Sequence, residues 1–233
     1  MEGTGPLMSH NYYDHCPRLP AEGQVDPRRL FLPALAPASG SEEAASGNEA
    51  DSDDSPVELE IGPGRGWFTV ERLELDKSAR VVGLEIRRKW ATIVDERLIK
   101  RGLASRGRVF AEDAKLALPR FLSASVSVAY LHFPDPWWKK RHAKRLVIAD
   151  PLLSELSRVL VVGGELLIQT DVFERAAEYE ALVAACPGFE PWEKEARVSD
   201  HPHGARSPRE RKAMEDQLPV VRLRYRCLGP VSA

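Results

Sequence analysis

VELEIGPGRGWF, residues 57–68, sets the reading of the whole 233-residue chain. Strand-like sequence from Val57 to Ile61 runs straight into three glycines, Gly62, Gly64 and Gly66. An aromatic pair then opens a helical pattern. Glycine carries no Cβ, so such a turn lets a ligand approach the backbone closely. The spacing is GxGxG, whereas a dinucleotide pyrophosphate turn has GxGxxG. Glu60 stands immediately before the loop, where a carboxylate repels a pyrophosphate and suits a cationic ligand.

The alternation continues outward from this turn. A helix-like stretch at about 66–75 leads to RVVGLE (80–85), which reads as a second strand. Trp90, Ile93, Val94, Leu98 and Ile99 give residues 87–101 helical spacing. RVFAED (108–113) reads as a third strand, followed by a short helix near 115–122, and VSVAYLHF (126–133) as a fourth strand. Residues 144–160 have helical spacing, GELLIQT (164–170) reads as a fifth strand, and 172–185 as a further helix. The last strands are placed near 190–198 and at 219–228. Repeated strand–helix units predict an α/β fold, a mostly parallel sheet covered by helices on both faces.

The chain is 43% hydrophobic, enough for one α/β domain. Its net charge of −2 excludes little, but the distribution is uneven. Six acids and no base fall between Ala38 and Pro56; without them the chain carries about +4. Bases gather at 139–145 and in the last third. The acidic stretch 38–56 has too little apolar surface to offset chain entropy, so disorder is expected there. The expected organisation is an N-terminal extension, 1–55, and one domain, 56–233. Three cysteines, Cys16, Cys186 and Cys227, form no CxxC pair, which argues against a disulfide framework or a zinc site. No apolar stretch approaches membrane-spanning length and no signal pattern opens the chain, so a soluble, cytoplasmic protein is expected.

Two groups of residues carry the chemistry. Glu60, Glu85 and Asp113 stand at the expected carboxyl ends of three successive strands, where open α/β sheets bind ligands. Glu85 is placed to accept ribose hydroxyl hydrogen bonds and Asp113 one from an adenine amino group. S-adenosylmethionine fits this set better than NAD, because it carries a sulfonium and an amino group where NAD carries phosphates. The second group is FPDPWWKKRH (133–142). Asp135 follows the fourth strand between Pro134 and Pro136, which restrict its backbone. Trp137 and Trp138 offer flat surfaces to a base, and Lys139, Lys140, Arg141, Lys144 and Arg145 can contact phosphates.

Together, EIGPGRG, GLEIRRKW, Asp113, FPDPWWKKRH, GGELLIQTD and SPRE resemble bacterial tRNA (guanine-N7-)-methyltransferases over about residues 57–226. The resemblance implies a Rossmann-like class I methyltransferase fold with a seven-stranded sheet. It implies methylation of N7 of a guanosine in the tRNA variable loop, with S-adenosylmethionine as donor. By match, Glu60, Glu85, Asp113 and Asp135 become the cofactor-side acids, with Asp135 also at the catalytic centre. Lys139, Asp171 and the segment Ser207-Pro208-Arg209-Glu210 become substrate-binding. Three positions depart from the pattern: Val172 where Trp is frequent, Ser207 for Thr, and Arg209 for an aromatic residue.

Guanine N7 carries a lone pair and no proton, so the implied reaction needs alignment rather than a base. The purine gains positive charge, which carboxylates near its Watson–Crick edge stabilise; Asp135 is placed first, with Asp171 or Glu210 assisting. Three alternatives are a methyltransferase for another RNA or a protein, an NAD-dependent oxidoreductase, and a non-catalytic RNA-binding module.

Overall fold

The computed structural model describes residues 12–33, 55–134 and 148–230. Eight strands and six α-helices follow one another in the order β1 (Val57–Ile61), α1 (Trp67–Leu75), β2 (Val81–Leu84), α2 (Arg88–Lys100), β3 (Gly107–Phe110), α3 (Ala114–Ala117), β4 (Val126–His132), α4 (Asp150–Val159), β5 (Leu160–Thr170), α5 (Phe173–Ala184), β6 (Phe189–Pro191), β7 (Arg197–Val198), α6 (Pro208–Glu215) and β8 (Val221–Cys227). The sheet order is β3-β2-β1-β4-β5-β8-β6, with β7 also paired to β8. The first five strands of that order are parallel, and β8 runs antiparallel to β5. The chain thus works outward to β3 and returns to place β4 beside β1. That reversal opens a crevice at the strands' carboxyl ends.

Both sheet faces are covered, which explains how VELEI folds. Val57, Leu59 and Ile61 join the larger apolar cluster with Leu118, Leu152, Leu153, Leu156 and Tyr179 from α3, α4, α5 and the turn after α3. Glu58 and Glu60 point to the other face, yet they are buried as well. There α1 lays Arg72 over Glu58, with Nη2 2.6 Å from Oε1. Tyr130 of β4 donates to the same carboxylate at 2.9 Å. The pair holds the Arg72 guanidinium above its usual range, against a desolvation that acts the other way. Elsewhere on this face Val70 and Leu73 of α1 share an apolar cluster with Val94 and Leu98 of α2.

Several expectations need correcting. The third strand ends at Phe110, and Asp113 lies three residues beyond it as the N-cap of α3, accepting from Lys115 N at 2.9 Å. The single strand expected near 190–198 is two short ones, β6 and β7. Trp192 N and Ala196 O still bond Arg224 across the gap, at 3.0 and 2.8 Å. The edge is therefore one strand interrupted by an insertion after Pro191, a residue with no N–H to give the ladder. Counted by position, the sheet has seven places. The fifth strand begins at Leu160 rather than Gly164. Helix α6 lies outside the expected elements. Residues 12–33, assigned to an extension, pack on the domain: Leu19 and Val25 sit in the main core, Val25 bridges Phe121, and Ala111 N donates to Pro17 O at 2.7 Å. Among the described residues no helix is long and apolar enough to cross a membrane.

Candidate active site

A cleft of about 990 Å³ opens at the carboxyl ends of β1, β2 and β4. It is lined by Glu60, Gly62, Gly64 and Gly66, by Glu85 and Asp113, by His132 to Pro134, and by Ser207 to Arg209. Every cofactor-side residue expected from sequence and described by the structure is therefore in one cavity. All three loop glycines have positive φ: 72°, 56° and 68°. At Gly66, which caps α1, a Cβ would also meet Val94 Cγ1 at 2.2 Å. The loop is thus pinned to α2 by the absence of a side chain.

The three glycine N–H groups of the loop are already in use. Gly62 N donates to Leu84 O at 2.9 Å and Gly66 N to Pro63 O at 2.8 Å. Gly64 N donates to Glu85 Oε2 at 2.9 Å. The opposite Glu85 oxygen accepts from Arg87 N at 2.9 Å. A pyrophosphate needs such N–H groups free, and this loop offers it a carboxylate instead. Glu85 is itself buried; Arg87 Nε also donates to Oε1 at 3.1 Å, so Oε2, with Gly64 N as its one donor, keeps a further acceptor position. Asp113 uses Oδ1 as the α3 cap, leaving Oδ2 with no protein donor among the described residues.

Glu60 sits deeper, at the end of a hydrogen-bonded chain. Its Oε2 accepts from Thr69 Oγ1, and His132 Nδ1 lies 3.4 Å from Oε1. His132 Nε2 meets His201 Nε2 at 3.3 Å, and His203 N donates to His201 Nδ1 at 3.2 Å. The last bond fixes the protons. His201 must carry its hydrogen on Nε2 and donate to His132, whose own hydrogen is then on Nδ1, facing Glu60. This order requires a neutral His201. Burial pushes its pKa down to about 2, with His132, His203, Arg222 and Arg206 adding repulsion.

The remaining substrate-side residues divide. Arg209 forms a bidentate pair with Asp171, at 2.9 and 2.8 Å, and its guanidinium lies 4.9 Å from the Phe133 ring centroid. Phe133 has φ +50° directly before Pro134, a strained backbone placed on the cleft wall. Ser207 caps α6, accepting from Glu210 N at 3.2 Å. Glu210 is outside the cleft: it is fully buried, and Oε1 accepts from Arg222 at 2.6 Å and Arg206 at 3.0 Å. Both guanidiniums bind Oε1, and Oε2 is buried with no partner among the described residues.

A family model described as "Putative methyltransferase" matches residues 54–223. A relative from Rhodopirellula baltica, named tRNA (guanine-N(7)-)-methyltransferase, is 34% identical over 206 residues, covering 84% of this chain and 73% of its own. One of the same name from Myxococcus xanthus is 35% identical over 170 residues, covering 72% of this chain and 82% of its own. The chain belongs to the tRNA (guanine-N7-)-methyltransferase family. A solved structure from Clostridium thermocellum, titled as a "putative rRNA-methylase", superposes with a TM-score of 0.50 at 14% identity, covering 76% of this chain and 90% of that one. At that identity the likeness speaks to the fold alone.

Within the family's pattern, Asp135, Trp137, Trp138, Lys139 and the bases to Arg145 lie outside the described residues. Sequence reasoning missed Thr69, His132, Phe133 and His201, which hold the inner wall of the cleft. It also missed Gln169, whose side-chain amide is buried beside His132 in the sheet with no partner among the described residues. The missed helix had a signal: Ser207-x-x-Glu210 with Pro208 at the first helical position is a capping sequence.

Proposed function

We propose that the protein transfers a methyl group from S-adenosylmethionine to N7 of a guanosine in the variable loop of tRNA. The observation that carries this reading is the glycine loop whose three glycine N–H groups are satisfied internally, one of them by Glu85. Such a loop rejects a pyrophosphate, so the NAD-dependent alternative loses its anchor. It leaves a wall of carboxylates that suits a nucleoside carrying positive charge. Bound there, S-adenosylmethionine supplies an electrophilic methyl group on a sulfonium.

Glu85 takes the ribose hydroxyls on Oε2 and, once Arg87 Nε releases it, on Oε1. Asp113 Oδ2 takes the adenine amino group, while its Oδ1 stays on the α3 cap. Glu60, fixed by Thr69 and His132, presents negative charge near the methionine end. The guanine needs no proton removed, so the chain's residues position it and stabilise the purine cation. Asp135 is the first carboxylate for that task, with Asp171 assisting once Arg209 releases it. Lys139 and its neighbours bind the phosphate backbone. Ser207 and Arg209 border the base, and Glu210 supports that border by tying α6 to Arg222. A tRNA substrate places the protein in the cytoplasm.

The test is incubation with labelled S-adenosylmethionine and unmodified tRNA, followed by borohydride and aniline cleavage at the methylated guanosine. Cofactor binding with no label entering tRNA would sink the reading. Asp135→Ala should abolish turnover and leave tRNA affinity nearly intact.

A further inference from the structure

The outer side of α2 carries a cluster that the cleft chemistry does not use. Trp90, Arg97 and Arg101 recur at seven- and four-residue spacing, which puts them on one face of the helix. Arg97 lies 4.3 Å from the ring centroid of Trp67 and Arg101 5.8 Å. Arg65, Arg87 and Lys89 lie 5.3, 5.9 and 5.8 Å from the ring centroid of Trp90. Both indoles therefore sit under cations, and the cluster borders the cleft, since Arg65, Trp67 and Arg87 also line it.

Arg87 has Glu85 at 3.1 Å, but others of these cations are poorly compensated. Among the described residues no carboxylate pairs with Arg65 or Arg97; Arg97 Nη1 instead donates to the carbonyl of Arg65. Arg101 has Glu74 at 2.6 Å, a pair half exposed on both sides and so worth little. Burial holds the Arg97 pKa below its usual value, and the charge of Arg101 lowers it further. Arg87, Arg88 and Lys89 crowd the positive end of the α2 dipole with no acid in the first turn. A second aromatic cluster differs at one of its cations: Trp192 lies under Arg224 and Arg226, and Arg224 is held by the largely buried Glu165 at 2.8 Å, while Arg226 has an exposed partner, Glu190, at 3.3 Å. Arg65 and Arg97, with no carboxylate among the described residues, beside flat aromatic surfaces and a substrate cleft, fit an external polyanion that stacks.

We propose that the outer face of α2, with Trp67 and Arg65, is a second RNA-docking surface. It takes the phosphate backbone of the substrate away from the target nucleotide, separately from the bases after Asp135. The 13-residue helix is about 20 Å long, enough to follow several phosphates. The inference rests on the proposed function only in taking the substrate to be RNA.

The experiment measures binding of unmodified tRNA to the full chain between 50 and 200 mM salt. For Arg97→Ala/Arg101→Ala, affinity should fall about tenfold at low salt, and the log–log salt slope by about 1.5, two phosphates' worth. Arg97→Lys/Arg101→Lys should restore the slope. Arg226→Ala, on the second cluster, should bind as wild type. An unaltered slope in the alanine variant overturns the proposal, whether or not affinity falls, and returns the face to another class of partner. Because binding is read without turnover, tRNA binding without methylation by the wild type would sink only the proposed reaction. Methylation by the wild type, with wild-type binding by the alanine variant, would remove only this surface.

Discussion

The carboxylates of the glycine-loop half, buried Glu85 and half-buried Asp113, and the buried pair of the histidine half are held by different means. Glu85 and Asp113 accept from backbone N–H groups two residues ahead, and Glu85 also from the loop 21 residues before it. Glu58 and Glu60 each take one partner from α1, Arg72 and Thr69, and a second 72 residues away, Tyr130 and His132, and His132 depends in turn on His201, 69 residues further on. The first arrangement can form within one strand–turn–helix unit. The second exists only after β4 has returned beside β1 and the segment before α6 has closed over both. The first half should therefore fail locally when altered, and the second cooperatively.

The largest effect should come from Arg72→Met, which leaves Glu58 buried without its cation. The expected loss is about 3–5 kcal/mol of stability, read from the urea midpoint. A loss under 1 kcal/mol would mean that Tyr130 alone satisfies Glu58. Gly66→Ala should cost about 2–4 kcal/mol by the same measurement, from its left-handed backbone and the collision with Val94. Glu85→Ala should weaken S-adenosylmethionine binding about 10- to 100-fold by calorimetry, as charge-assisted hydrogen bonds are lost, with tRNA affinity unchanged. Equal losses for both ligands would erase the division between the two halves.

His201 gives the smallest effect and the sharpest contrast. Its folded pKa, about 2, lies below the ordinary value of 6.5, so the unfolded chain binds the extra proton as pH falls. The stability present above about pH 6.5 should decline below it, by at most about 1.4 kcal/mol per pH unit. His201→Gln should remove that part of the slope between pH 6.5 and 5 in denaturant titrations. An identical slope in the variant would show that His201 does not stay neutral, and with it would go the proton order assigned to the His132–Glu60 chain.

The same difference explains what could be read in advance. The glycine loop, β2, α2 and the cleft acids were legible because each rests on contacts or periodicity within about 30 residues. Asp113 was correctly placed in the cleft but through the wrong element, since a strand end and a helix cap share the same polar signature. Helix α6 carried its capping sequence in SPRE, which the substrate-binding match obscured. The segment 12–33 gave no periodicity, because it packs through single residues such as Leu19 and Val25 rather than through a regular face.

What the sequence alone determined is the α/β alternation, the cofactor loop and the family. These follow from residue types whose spacing is fixed by one turn of backbone. Only the tertiary structure decided that Glu58 and Glu60 are buried on the side of VELEI that alternation leaves polar, that His132 and His201 carry a proton chain to Glu60, and that Glu210 serves Arg222 rather than the cleft. The physical reason is desolvation. A buried charge must find its partner wherever the fold brings one, and for these groups part of the partner set comes from other elements that the sheet topology and the close of α6 bring together.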